Sequence, residues 1–202
     1  MSLEVINTIA SLLTVTIVAA TAVAALVQLR HLRAGNQINA ILTIGDRLNG
    51  KEFIDALLLV NRDLNTALED PAFRAYDVAF WQRVAPPDVD PRYVEIRRAA
   101  IFVGNTYEQL GVLVKNRTVD QDIFVDNYCG NVTGAWQRLK NFTAHGRAAT
   151  GYFAYWENFE YLTVLSQDWM ERYPSSYPKG VRRLELSCPW PVPPPHEGPP
   201  LH

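Results

Sequence analysis

Two carboxylates sit in the most specific pattern of the chain. Tyr107-Glu108-Gln109-Leu110-Gly111-Val112-Leu113 is echoed by Phe159-Glu160-Tyr161-Leu162-Thr163-Val164-Leu165, an aromatic-Glu-x-Leu-x-Val-Leu repeat. Glu108 lies on the stripe Gly104, Glu108, Gly111. Those glycines weaken a helix, a loss that close approach of a neighbouring helix recovers. A carboxylate brought into such a contact needs a partner, and Arg138 and Arg147 are the candidates. Two readings follow. Glu108 and Glu160 either form structural ion pairs or act as a proton-handling or metal-binding pair. A di-iron helical bundle uses Glu-x-x-His motifs, and this chain contains none.

The other reactive side chains are dispersed. His31, His145, His196 and His202 have no second His or Cys at ligand spacing, so no zinc site is expected. His145 precedes Gly146 and reads as a C-terminal cap partner. Cys129 and Cys188 form neither a disulfide framework nor a CxxC clip. There is no nucleophile elbow, P-loop or dinucleotide-binding glycine pattern. The aromatic side chains Tyr128, Trp136, Tyr152, Tyr155, Trp156 and Phe159 could line a pocket, but their helical spacing points first to core packing. The candidate ligand or ion-pair residues are therefore Glu108, Glu160, Arg138, Arg147, Trp136 and Trp156, with no catalytic residue, metal or cofactor expected.

The elements that position these residues follow from periodicity. From Val5 to Val27 no residue is charged, and a helix of that length spans roughly 34 Å, enough to cross a bilayer core. A cleaved signal peptide is the competing reading, with Ala20-Thr21-Ala22 as a small-x-small site. The start MSLE carries Glu4 and no basic residue, and the run is longer than a signal h-region, so an anchor is expected. Arg30, His31 and Arg33 follow the span directly, which places the C-terminal side in the cytoplasm of a cell (inner) membrane. Thr16, Ala20 and Ala24 form a small-residue stripe of the kind that lets two spans pack, although an Ala-rich span produces one by chance.

Gly35 is expected to break the chain, with a short helix from about 36 to 48 and a turn at Asn49-Gly50. Phe53, Leu57, Val60, Leu64 and Ala67 mark one face of the next helix. Pro71 opens a less regular stretch, in which Phe73, Tyr76, Phe80 and Trp81 suggest a short helical piece, and Pro86-Pro87 ends it. Asp90-Pro91 is a strong helix start, followed by the seam Tyr93, Ile96, Ala100, Val103, Tyr107, Leu110, Val114. Thr118 and Gln121 resemble a capping box before Val125, Tyr128, Val132, Ala135, Leu139 and Phe142. Gly146 is expected to end or bend that helix, and a last, aromatic-rich helix runs from about Thr150 to Arg172. No segment alternates with period two, so the fold class is all-α, an N-terminal transmembrane helix followed by an antiparallel helical bundle. The expected division is 1–34 anchor with basic flank, 35–172 bundle, and 173–202 a Pro-rich, largely disordered tail.

With a net charge of −2 and a pI near 6.1 the chain has no basic field for nucleic acid. Its expected partners are the membrane, through residues 5–27, and a protein or a second copy of itself. The preference for Arg over Lys, 15 to 4, is a hint of GC-rich bacterial coding. The apolar span with its Arg flank, the inter-helix hinge YEQLGVLVKNRTVDQDIF, Trp136, Arg147 and the closing FEYL resemble uncharacterised bacterial single-pass membrane-anchored helical proteins of the domain-of-unknown-function class. That resemblance covers about residues 5 to 170 and implies an anchored bundle with no catalytic residues. The function expected is a membrane-tethered interaction or scaffold module. The alternative is a small-ligand sensor or enzyme using Glu108, Glu160 and the aromatic cluster.

Overall fold

A computed structural model describes residues 3–191. Six helices follow one another, α1 (Leu3–Asn49), α2 (Lys51–Glu69), α3 (Pro71–Gln82), α4 (Pro91–Lys115), α5 (Gln121–Thr150) and α6 (Glu157–Arg172). Among the described residues there is no strand, and α2 to α6 pack as a bundle around one apolar core. His196, His202 and most of the proline run fall outside the described residues.

The apolar span is the first part of α1. Its hydroxyls are absorbed by the helix, because Thr8, Thr14, Thr16 and Thr21 each donate to the carbonyl four residues earlier at 2.8–2.9 Å. Gly35 does not break α1, which runs on through it to Asn49. One glycine costs a helix only about 1 kcal/mol, too little to end one whose next turns pack. Those turns put Ile44 and Leu48 into the core. The break comes at Gly50, with extended backbone at φ −63°, ψ 139°.

The starts of α3, α4 and α5 use an aspartate cap. Asp70 and Asp90 each accept from the amide two residues on, Ala72 at 2.7 Å and Arg92 at 2.8 Å, with proline at the first helical position. The stretch after Pro71 thus holds the short helical piece its aromatic spacing suggests, as the regular helix α3. At α5 the cap is Asp120, accepting from the Ile123 amide at 3.0 Å, so the expected Thr118–Gln121 box is not the one used. An Asp carboxylate aimed at a helix N-terminus is the stronger acceptor, through its charge.

Phe53 meets Phe102 and Tyr107 edge-on while Asp63 pairs with Arg92, so α2 runs antiparallel to α4. The short link 116–120 returns α5 antiparallel to α4, and the Tyr107 hydroxyl reaches the Asn131 carbonyl. The predicted seams hold. Val103, Leu110 and Val114 of α4, and Val132, Leu139 and Phe142 of α5, are all buried. α5 ends at Gly151, in the left-handed region at φ 68°, and not at Gly146. Gly146 serves packing instead, since a Cβ there would lie 3.2 Å from the Tyr155 ring. Residues 151–156 form a turn, so the last helix starts at Glu157, later than expected, and Tyr152 and Phe153 are exposed. Cys129 and Cys188 are both free thiols.

Candidate functional site

Glu108 faces the start of α6. The residue that caps this helix is Trp156, held at φ 54°, and it supplies no side-chain hydrogen bond to the open amides. Its indole points away, lies over Gly104 and donates to Asn105 Oδ1 at 2.9 Å. Glu108 does the capping from α4. Its Oε2 accepts from the Phe159 amide at 2.9 Å and its Oε1 from Asn158 Nδ2 at 2.6 Å. Asn158 Oδ1 in turn accepts from Lys115 Nζ at 3.1 Å. A carboxylate that accepts from a first-turn amide is stabilised by both hydrogen bonding and the helix dipole.

The glycine stripe makes this possible. A Cβ on Gly104 would lie 2.1 Å from the Trp156 ring, and one on Gly111 only 2.2 Å from the Asn158 carbonyl oxygen. The close approach read from Gly104, Glu108 and Gly111 is therefore the docking of α6 on α4. The echo is also spatial, since Tyr107 and Phe159 stack with centroids 4.9 Å apart.

The other candidates separate. Arg147 pairs with Glu160 at 2.6 Å and donates from Nε to the Tyr155 carbonyl, tying α5 to the turn before α6. Arg138 bonds the Gly134 carbonyl of its own helix at 2.7 Å. Neither arginine partners Glu108. Trp136 packs edge-on against Phe159 at 5.0 Å, while Trp156 stacks on Tyr155 at 4.5 Å. Glu108 and Glu160 thus serve different contacts and do not form a pair.

A polar centre that the sequence did not single out lies between α3, α4, α5 and the 151–156 turn. Asp77 is wholly buried. Its Oδ1 accepts from Arg97 Nε at 2.7 Å and its Oδ2 from Trp81 Nε1 at 3.1 Å. His145 Nε2 approaches Oδ2 at 3.6 Å, too far for a hydrogen bond. His145 therefore faces α3 and is no helix cap. The Arg97 guanidinium lies 4.0 Å over the Phe80 ring. Burial pushes the Asp77 carboxyl up from its ordinary value, outweighing the opposing pull of Arg97. Burial, with help from Asp77, also drives the Tyr155 hydroxyl strongly upward.

His145 Nε2 and the Tyr155 hydroxyl are buried without a hydrogen-bond partner among the described residues. Such atoms mark a polar centre with unused capacity. A signal for it existed. Asp77 shares the apolar face of α3 with Phe73, and Arg97 sits between Ile96 and Ala100 on the buried seam of α4. A charge on a seam is paired or functional. Among the described residues no group of three His, Cys, Asp or Glu is placed to hold a metal ion.

The chain matches, over residues 15–166, the family described as a domain of unknown function, DUF4760. The chain belongs to the DUF4760 family. The DUF4760 match starts inside the apolar segment and stops within α6, so it takes in both the Glu108 cap and the Asp77 centre and leaves the tail outside. No curated protein and no solved structure matches the chain.

Proposed function

We propose that this DUF4760 protein is a membrane-tethered helical interaction module, held in a bacterial inner membrane by residues 5–27 with its bundle in the cytoplasm. One observation carries the reading. The most apolar 18-residue window of α1 has a mean hydropathy of 2.3, and none of it is buried by the rest of the protein. At about 25 cal/mol per Å2 a bare apolar helix of that length is strongly unfavourable in water, and lipid is the medium that covers it. Arg30, His31 and Arg33 at its C-terminal flank favour the cytoplasmic side for the bundle.

An interaction role is supported over catalysis by what the conspicuous carboxylates do. Glu108 is committed to the amides of α6, and Glu160 to Arg147. The test is topological. Reporters active only in the cytoplasm, or only outside it, are fused after Arg172 in bacterial cells, which are then fractionated. A membrane-bound, cytoplasmically active fusion is expected. A soluble fusion would end the anchored reading, and an exported one would reverse the orientation.

A further inference from the structure

On the outer side of the polar centre, α3 and α4 leave a groove of about 420 Å3 lined by Tyr76, Phe80, Val94, Arg97, Ile101 and Phe102, with Arg98 and Asn105 completing it. Its size falls within the range of small-molecule sites, about 300–1,000 Å3. Five of those residues present apolar or aromatic surface, and Phe80 is 51% exposed. The floor holds the unusual group. Arg97 is only 9% exposed, and Nε is its one nitrogen that makes a hydrogen bond among the described residues. Asp77 takes the Nε side and Phe80 covers the flat face. The two terminal amino groups have no hydrogen-bond partner among the described residues, on a side chain that lines the groove.

We propose that this groove binds a small carboxylate with an aromatic or branched apolar body. The planar carboxylate matches the fork of a guanidinium, which is already held in place by Asp77 and Phe80. Asp77 balances the charge of Arg97. Arg98 forms no ion pair among the described residues and leaves the groove with a net positive edge. A neutral apolar molecule would cover the terminal amino groups of Arg97 and give them nothing to bond, which disfavours it. This goes beyond the interaction-module reading, because it assigns the bundle a ligand of its own.

The test uses the full chain in nanodiscs of zwitterionic lipid, titrated calorimetrically with biphenyl-4-carboxylate and with biphenyl-4-methanol, against empty nanodiscs. Saturable one-to-one binding of the carboxylate is expected, at least tenfold tighter than the alcohol. Arg98→Glu, at an exposed position, is expected to weaken it at least fivefold. Val94→Trp, which fills the groove from a half-buried wall position, is expected to abolish it. If Val94→Trp lowers the melting temperature, Arg98→Glu alone decides. Carboxylate binding no greater than to empty nanodiscs, equal binding of the alcohol, or binding indifferent to Arg98→Glu would each overturn the proposal.

Discussion

Removing the Glu108 carboxylate should loosen α6 from its first turn. In Glu108→Ala the Phe159 amide and Asn158 Nδ2 both lose an ionised acceptor. A hydrogen bond to a charged group contributes about 1.5–3 kcal/mol, and a carboxylate at a helix N-terminus a further ~0.3–1 kcal/mol. Glu108 is half-buried, so water replaces part of what is lost, and the low end of that sum, about 3 kcal/mol, is expected. For a domain of this size it corresponds to a fall in melting temperature of about 6–12 °C. Glu108→Gln keeps one acceptor oxygen and turns an amino group towards the other donor, so roughly half that loss is expected. Two measurements check this in the detergent-solubilised chain, thermal unfolding by circular dichroism and amide hydrogen exchange. Exchange should accelerate first in residues 159–162. If Glu108→Ala melts within about 2 °C of wild type and α6 exchange is unchanged, the capping argument fails and Glu108 becomes free for a functional role.

The glycines separate propensity from space. Gly130→Ala meets nothing within 4 Å and should raise the melting temperature by the ~1 kcal/mol of helix propensity, whereas Gly111→Ala drives a Cβ into the Asn158 backbone and should lower it. Asp77→Leu leaves Arg97 buried without its partner and should cost about 3–5 kcal/mol, much of it recovered in Asp77→Leu/Arg97→Met, as a double-mutant cycle of melting curves would show. Asp77 and Asp63 should bend the pH dependence of stability in opposite senses. The Asp77 carboxyl is raised, so the folded state holds the extra proton and stability falls as pH rises from the ordinary Asp value to the raised one. The Asp63 carboxyl is lowered, first by its hydrogen bond from Arg62 and also by Arg92, so its contribution is present above the ordinary value and lost as pH falls. Urea titrations from pH 3 to 8, comparing Asp77→Asn and Asp63→Asn with the parent, separate the two slopes.

What the sequence disclosed and what it hid divide along physical lines. Periodic burial within one helix is local information, and the seams of α4 and α5 were readable because Val103, Leu110, Val132 and Leu139 recur with the helical repeat. Asp90-Pro91 was readable for the same reason, and Asp70-Pro71 carries the identical signal. Glycine was ambiguous. It marked no helix end at Gly35, where its cost is small and a Cβ would meet nothing within 4 Å, nor at Gly146, where it makes room for Tyr155, a residue of the next turn. Glu108 was correctly marked for a close helix contact, but its partners could not be read. One partner is a backbone amide 51 residues away, which leaves no side-chain trace, and the other is the neutral side chain of Asn158 rather than an arginine. Asp77 and Arg97 were missed for a different reason, since each interrupts an apolar seam that reads well enough without it.

The continuity of α1 constrains how any tethered function could operate. Ile44 and Leu48 are core residues, and the same helix reaches back without interruption to Leu3. Between Val27 and Ile44 it advances about 26 Å, at 1.5 Å per residue, with no flexible linker to dissipate rotation or tilt. The same helix carries, at its far end, the turns that touch Tyr128 of α5 and Thr106 of α4. On the membrane-tethered reading, the bundle stands at a set height and facing above the bilayer rather than sweeping a volume. Its partners must then come to that face.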